Sequence, residues 1–303
     1  MASSGDSPKL AQTIGPWQIL FYGLGSMLGA GVYALIGKAA GALGNAVWLA
    51  FIAAMIAALL TGLSYASLGS RYPKAGGAAY ITERAMKKAW LSYVVGIAVM
   101  MSGLTSMATG LQAISENLLV AAQTFSSLRI HQDVLPYFIK ALAILIAVLI
   151  GAIIYRGIRE SMWANLFCTI IEVGGLVFIV AVGVKYWGGV DYLEVPPQAK
   201  GFGIAGISFI VILQGAVLTF FSFIGFEDIL NVSEEVKNPR RSIPFGLVGA
   251  MIAATVIYMA VAITAVSVMP WQELAKSPAP LMEVAKRAAP WFGGLDRVRS
   301  EEH

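Results

Sequence analysis

Charge is what this sequence is short of. Only 13 % of its 303 residues are charged, 21 basic and 17 acidic, where a soluble domain carries about a quarter. Cysteine is reduced to Cys168, which excludes an internal disulfide and a secreted disulfide scaffold. Histidine is limited to His131, in a loop, and His303, the last residue. No histidine is therefore available inside an apolar segment for a metal or a catalytic triad, and enzymatic readings fail early. What is there instead is apolar: 58 % of the residues are hydrophobic, which places the chain in the membrane class. The formal charge of +4 says less than the places where the charges lie.

A bilayer core takes about 20 apolar residues per helix. Seven segments qualify: Trp17–Ile36, Leu43–Leu68, Leu91–Ala113, Tyr137–Tyr155, Met162–Trp187, Phe202–Leu230 and Ile243–Met269. Basic residues gather after the second (Arg71, Lys74, Arg84, Lys87, Lys88), fourth (Arg156, Arg159) and sixth (Lys237, Arg240, Arg241). The positive-inside rule then puts the N-terminus in the cytoplasm, and seven spans put the tail from Pro270 outside. Residues 1–16 read as a cytoplasmic tail without a signal-peptide cleavage site, 17–269 as a seven-helix membrane domain, and 270–303 as an extracytoplasmic loop and tail. "APLMEVAKRAA" in that tail predicts a short amphipathic helix. The orientation argues against a seven-helix receptor, and the seventh span has no lysine for a retinal Schiff base.

Several motifs lead nowhere. "GLGSMLG" has the wrong spacing for a dinucleotide fingerprint and no strand before it. "NVS" at 231–233 falls at a cytoplasmic helix end, where it is a chance match to a glycosylation acceptor.

The glycines of "GLGSMLGAGVYALIGKAAG" (23–41) do need a reason, because each glycine inside a helix costs about 1 kcal/mol against alanine. Two readings are open. Gly25 and Gly29 form GxxxG, which lets two membrane helices approach closely. Alternatively, the helix unwinds around Ser26–Gly31, and the amides that open its second half attract a carboxylate. The sixth span offers a second interruption, where "FFSFIGFEDIL" sets an aromatic cluster, a glycine and the acids Glu227 and Asp228 in a row. An ordinary helix end would also carry such acids. Interrupted helices at matching positions of two five-helix halves are nonetheless the best sequence pointer to a transporter site. Glu172 lies midway along the fifth span, where an acid such as Asp costs about 2.5–3.5 kcal/mol. It faces the bundle interior on this reading, either hydrogen-bonding a neighbouring helix or coupling to a proton or ion. Glu116 and Asn117 belong at the interface and Cys168 reads as a packing residue.

"GLGSMLGAGVYALIGKAAG", "SYASLGSRYPKAGGAAYITERA" and "FFSFIGFEDILNVSEEVKNPRRSIPFGL" together resemble the amino acid/polyamine/organocation permeases, in particular the branch of cationic amino acid transporters. The resemblance runs from Gly15 to about Gly294. It implies an all-α integral membrane fold of the LeuT-like inverted-repeat type, with discontinuous helices 1 and 6 and the substrate at the midplane. It implies that the backbone at Ser26, Met27, Gly29, Ala30 and Gly31 receives an α-carboxylate. Carbonyls around Phe220, Phe221 and Ser222, before Gly225, would take the α-amino group. Phe221 or Phe223 would gate the site, and Glu227 would serve gating or proton response. Glu172 stands where several relatives place a lysine in the role of a coupling ion, so here an acid would carry the coupling.

With seven spans the second repeat is incomplete, and "LDRVRSEEH" matches nothing in the family. The sequence reads as a permease cut after its seventh helix: a truncated gene product, a splice form or an expressed fragment. The function expected is secondary transport of amino acids by alternating access, proton-coupled or exchanging. The acid in the spans hints at a cationic substrate. The other reading is a non-transporting sensor or regulatory fragment that associates with a complete permease. The partners implied are an amino acid or related amine, a proton and the lipid bilayer. A homo-oligomer stays open, and no nucleic acid, cofactor or metal is implied.

Overall fold

A computed structural model describes residues 11–125, 134–277 and 279–290. His131, His303 and the polar end from residue 291 lie outside the described residues, as does most of the N-terminal tail. Contacts divide the chain into two compact units, Met1–Ala75 with Asn165–His303, and Gly76–Ala164.

The first unit opens with α1 (Pro16–Met27). Proline at its first position carries the φ a helix needs and lacks only an amide that would be unbonded anyway. The Gln18 side chain folds back to accept a hydrogen bond from the Gly15 amide at 2.8 Å. After two non-helical residues, α2 (Ala30–Leu43) follows, and a short 3-10 turn leads into α3 (Val47–Arg71). The hydroxyls of Thr61 and Ser64 on α3 bond carbonyls one turn back, so neither presents an open polar group to lipid.

The second unit holds α4 (Gly77–Met86), α5 (Ala89–Phe125) and α6 (Leu135–Arg156). Ser92 on α5 donates to the Ala79 carbonyl of α4 at 2.6 Å. Apolar side chains such as Leu104, Met107, Leu145 and Leu149 point outward, a surface a bilayer accepts and water does not. Gly157, at φ 123°, ends α6 in a conformation only glycine adopts readily. α7 (Ile158–Gly183) begins in this unit and continues into the first.

The first unit resumes with the rest of α7 and a small hairpin, β1 (Gly203–Ile204) paired antiparallel to β2 (Ile207–Ser208). The sixth span, expected from Phe202, therefore starts only at Phe209: Ala205 and Gly206 both take positive φ and turn the chain back on itself. α8 (Phe209–Phe220) follows, then an irregular stretch to Leu230, then α9 (Pro239–Val268). α10 (Trp271–Leu274) and α11 (Pro280–Ala288) close the described chain. α11 is the amphipathic helix expected there, with Leu281, Val284 and Ala288 buried and Lys286 and Arg287 in its last turn.

The core of this unit is α9, which packs on α1 and α3, while α8 packs on α2 and α3. Small residues of α9 (Gly246, Ala250, Ala254) let it lie close to its neighbours. Among the described residues, six helical stretches are long and apolar enough to cross a membrane. The first expected span, Trp17–Ile36, is divided between α1 and α2, neither long enough alone.

Candidate functional site

The two interruptions face each other. On the first, the break is narrower than Ser26–Gly31. Ser26 and Met27 still belong to α1, and Ala30 and Gly31 already belong to α2. Only Leu28 (ψ 80°) and Gly29 (φ −127°, ψ −158°) leave the helix. Two residues suffice because both amides keep partners: Leu28 N–H bonds the Leu24 carbonyl at 2.8 Å and Gly29 N–H the Met27 carbonyl at 2.9 Å. Among the described residues no side chain caps α2, so the amides of its first turn lack the partners a helix interior would supply. A side chain on Gly29 would meet nothing within 4 Å.

On the second, α8 gives way to a 3-10 turn, Phe221–Phe223, and an extended Ile224. Gly225 follows at φ 119°, and Phe226–Leu230 forms a further 3-10 stretch. Glu227 holds this turn, its carboxylate accepting the Gly225 amide at 2.9 Å. A Cβ on Gly225 would overlap the Ser26 carbonyl, and one on Gly31 would stand 2.9 Å from Ser222 Cα. Both glycines thus exist for close approach of the two broken segments.

Tyr258 of α9 ties them together. Its hydroxyl lies 2.7 Å from the Met27 carbonyl and 2.8 Å from the Ser222 carbonyl, and its one proton serves both. The ring is fully buried, edge-on to Phe223 at 5.5 Å and tilted against Phe51 at 5.6 Å. Beside it Ser222 Oγ is buried without a hydrogen-bond partner among the described residues. Such an orphan is uncommon.

Glu172 is half-buried on α7, near Tyr258 and Tyr33 of α2. Its carboxylate has no hydrogen bond or ion pair among the described residues. A Cβ added to Gly175, nearly one turn further on, would stand 4.0 Å from the Tyr33 hydroxyl.

The residues expected from sequence therefore sort by place. Ser26, Met27, Gly29, Gly31, Ser222, Phe223 and Gly225 line the junction, Ala30 is the first residue of α2, and Glu172 stands near it. Phe220 is half-buried at the end of α8, and Phe221 is 59 % exposed, whereas Phe223 is fully buried. Glu227 bonds within its own turn. Gly25 serves packing: a methyl group there would overlap Thr169 of α7. Tyr258 and Tyr33 were not singled out by sequence, although a phenol inside "ATVIYMAVAI" needs a partner in lipid.

One end of this unit is latched. Ile14 and Val236 form a parallel bridge, with Lys237 N–H on the Ile14 carbonyl at 2.8 Å. Glu234 meets Lys74 at 2.7 Å and the Ala75 amide at 3.3 Å, while Ser233 Oγ bonds the Lys74 carbonyl at 3.2 Å. The hydrogen bond from Lys74, then that from Ala75, hold the Glu234 carboxyl below its ordinary range. Burial, and then the Glu234 charge, push Glu235 up. Among the described residues, no three His, Cys, Asp or Glu side chains cluster as metal ligands would.

Comparison with known proteins agrees with this architecture. The family model described as amino acid permease matches residues 14–294. A vacuolar cationic amino acid transporter 4 of Arabidopsis thaliana is 32 % identical over 89 % of the chain and 45 % of its own length. A methylthioribose transporter of Bacillus subtilis is 28 % identical over 90 % of the chain and 59 % of its own length. The branched-chain amino acid permease BcaP of the same bacterium is 26 % identical over 97 % and 63 %. The chain spans about half the length of the curated relatives it matches. With apolar helices of membrane length in both units and the family match over nearly its whole length, the chain is a multi-pass membrane protein that belongs to the amino acid permease family.

Proposed function

We propose that this chain binds an amino acid where its two interrupted helices meet, and that it serves secondary transport by alternating access in a LeuT-like fold. The observation that carries the reading is the Tyr258 bridge, which joins the Met27 carbonyl, at the end of α1 and just before α2, to the Ser222 carbonyl of the second break. The uncapped amides of α2 suit the α-carboxylate, since a helix N-terminus favours an anion. The carbonyls of Phe220–Ser222 suit the α-ammonium, and Ser222 Oγ supplies a further polar group. Phe223 is the better aromatic gate of the two, being buried against Tyr258. Glu172 is the acid through which a proton couples to transport, and its negative charge favours a cationic substrate over a neutral one.

The test is binding and uptake of labelled arginine and leucine, with the purified chain in detergent and in proteoliposomes. Saturable binding displaced by α-amino acids, but not by the matching amines without a carboxylate, is expected. Equal displacement by the amines would overturn the assignment of α2. Binding without flux would favour a sensor instead. Glu172→Gln should abolish proton-driven uptake while leaving exchange partly intact, and an unchanged pH dependence of uptake would remove Glu172 from the coupling role.

A further inference from the structure

At the latched end, a cavity of about 510 Å³ opens between the starts of α1 and α9, a size within the roughly 300–1,000 Å³ of small-molecule pockets. Lys237, Arg241, Trp17 and Phe245 line it, with Asn238 and Ser242 between them. We propose that it holds the phosphate of an anionic glycerophospholipid, with Lys237 and Arg241 as counter-charges and the two rings seated below against the glycerol and upper acyl chains. The proposal is independent of the substrate reading above.

Three observations carry it. The first is charge. Both cations are exposed, neither has an ion-pair partner among the described residues, and no carboxylate lines the cavity. Ser242 directs its hydroxyl onto the Lys237 carbonyl at 2.6 Å. The second is order along the axis. Lys237, Arg241 and Phe245 are spaced by four, so Arg241 and Phe245 stack on one face of α9. Trp17 meets Phe245 edge-on at 5.4 Å, and both rings stay open to the surroundings at 64 % and 44 %. Cations at the rim with aromatic rings one turn deeper is the order of a headgroup above the interfacial belt. The third is position. α9 has 30 residues, about 45 Å of helix, enough to cross the hydrocarbon and both headgroup layers, so its first turn lies at headgroup depth. A basic cluster that merely sets topology would need neither the recess nor the ring pair beneath it, and basic pockets at that depth are where anionic headgroups bind.

Native mass spectrometry of the purified chain in detergent tests this, with phosphatidylglycerol, phosphatidylcholine and inorganic phosphate as probes. Wild type and the Arg240→Gln control, whose side chain does not line the cavity, should retain one phosphatidylglycerol in preference to phosphatidylcholine. Lys237→Gln/Arg241→Gln should bind it roughly thirtyfold more weakly, as the loss of two basic groups near an anionic surface implies. Each single variant should fall between, which guards against a double variant that fails to fold. Equal retention by the variants, or no preference over phosphatidylcholine, overturns the proposal. Displacement of the lipid by millimolar inorganic phosphate would make this a site for free phosphate and overturn the lipid assignment.

Discussion

Tyr258 shares one hydroxyl proton between two carbonyls that helix breaks have set free. The Met27 carbonyl also accepts from Gly29, so it keeps a partner if the phenol is lost. Among the described residues, Ser222 O has no such second bond to a backbone amide outside its own turn. Tyr258→Phe should therefore leave one buried acceptor unsatisfied and cost about 1–3 kcal/mol, with packing against Phe223 and Phe51 retained. Thermal unfolding in detergent measures that cost, and substrate affinity should fall with it because the two breaks lose their common anchor. A variant with unchanged melting and binding would show that the breaks hold themselves together. At this scale the sequence was only partly legible. Gly25 and Gly29 look identical in a GxxxG pattern, yet Gly25 packs against Thr169 and Gly29 faces open space. Spacing along one helix cannot report which neighbour stands opposite. The same blindness hid Tyr258, whose partners lie 231 and 36 residues away.

At the scale of elements, both breaks were legible because glycine in an apolar helix is costly without a use. Their extents were not. The first opens over two residues because local hydrogen bonds rescue both amides. The second never returns to an α-helix, since Gly225 at positive φ and the Glu227 carboxylate on its amide commit the chain to 3-10 turns. The start of α8 was misplaced because "FGIAGIS" is apolar enough to pass for helix, while a two-residue turn of positive φ makes it a hairpin. The latch between the α3 end and residues 233–237 was invisible, being a set of contacts between distant loops. It carries a pH dependence with a definite sign. Glu234 is held below its ordinary range by the Lys74 hydrogen bond. Its contribution is thus present above the unfolded carboxylate value of about 4.3 and is lost as pH falls through the lower folded value. Glu235, pushed up by burial and by Glu234, works in the opposite sense. The pair is exposed, and surface ion pairs contribute only about 0–1 kcal/mol, so the effect is local. Hydrogen exchange at residues 232–237, taken relative to the intrinsic amide rate at each pH, should quicken on acidification past that range in wild type. In Glu234→Gln it should be fast already at neutral pH and change less on acidification. Equal acid sensitivity in both would assign the effect to another group.

At the scale of the larger unit, two sets of bonds fix two ends. Ile14, Lys74, Glu234 and Val236 meet at one. At the other, Asn45 N–H bonds the Glu194 carbonyl at 2.9 Å, Trp48 Nε1 the Tyr192 carbonyl at 3.1 Å, and Trp271 Nε1 the Glu194 carboxylate at 3.3 Å. α1 starts at the first end and α2 finishes at the second. With 12 and 14 residues, they extend about 18 and 21 Å, each short of the roughly 30 Å hydrocarbon core and together sufficient. That combined length would let the broken pair make one complete crossing. Cysteine accessibility checks this directly. In a Cys168→Ser background, Thr13→Cys and Asn238→Cys should react with a membrane-impermeant maleimide from the same side, and Gln198→Cys from the opposite side. The basic loops that flank the spans predict that the shared side is the cytoplasm. Labelling of Thr13→Cys and Gln198→Cys from one side would mean that α1 and α2 fold back on themselves instead of crossing. The paired breaks would then lie at a membrane surface, where a substrate would need no alternating access to reach them.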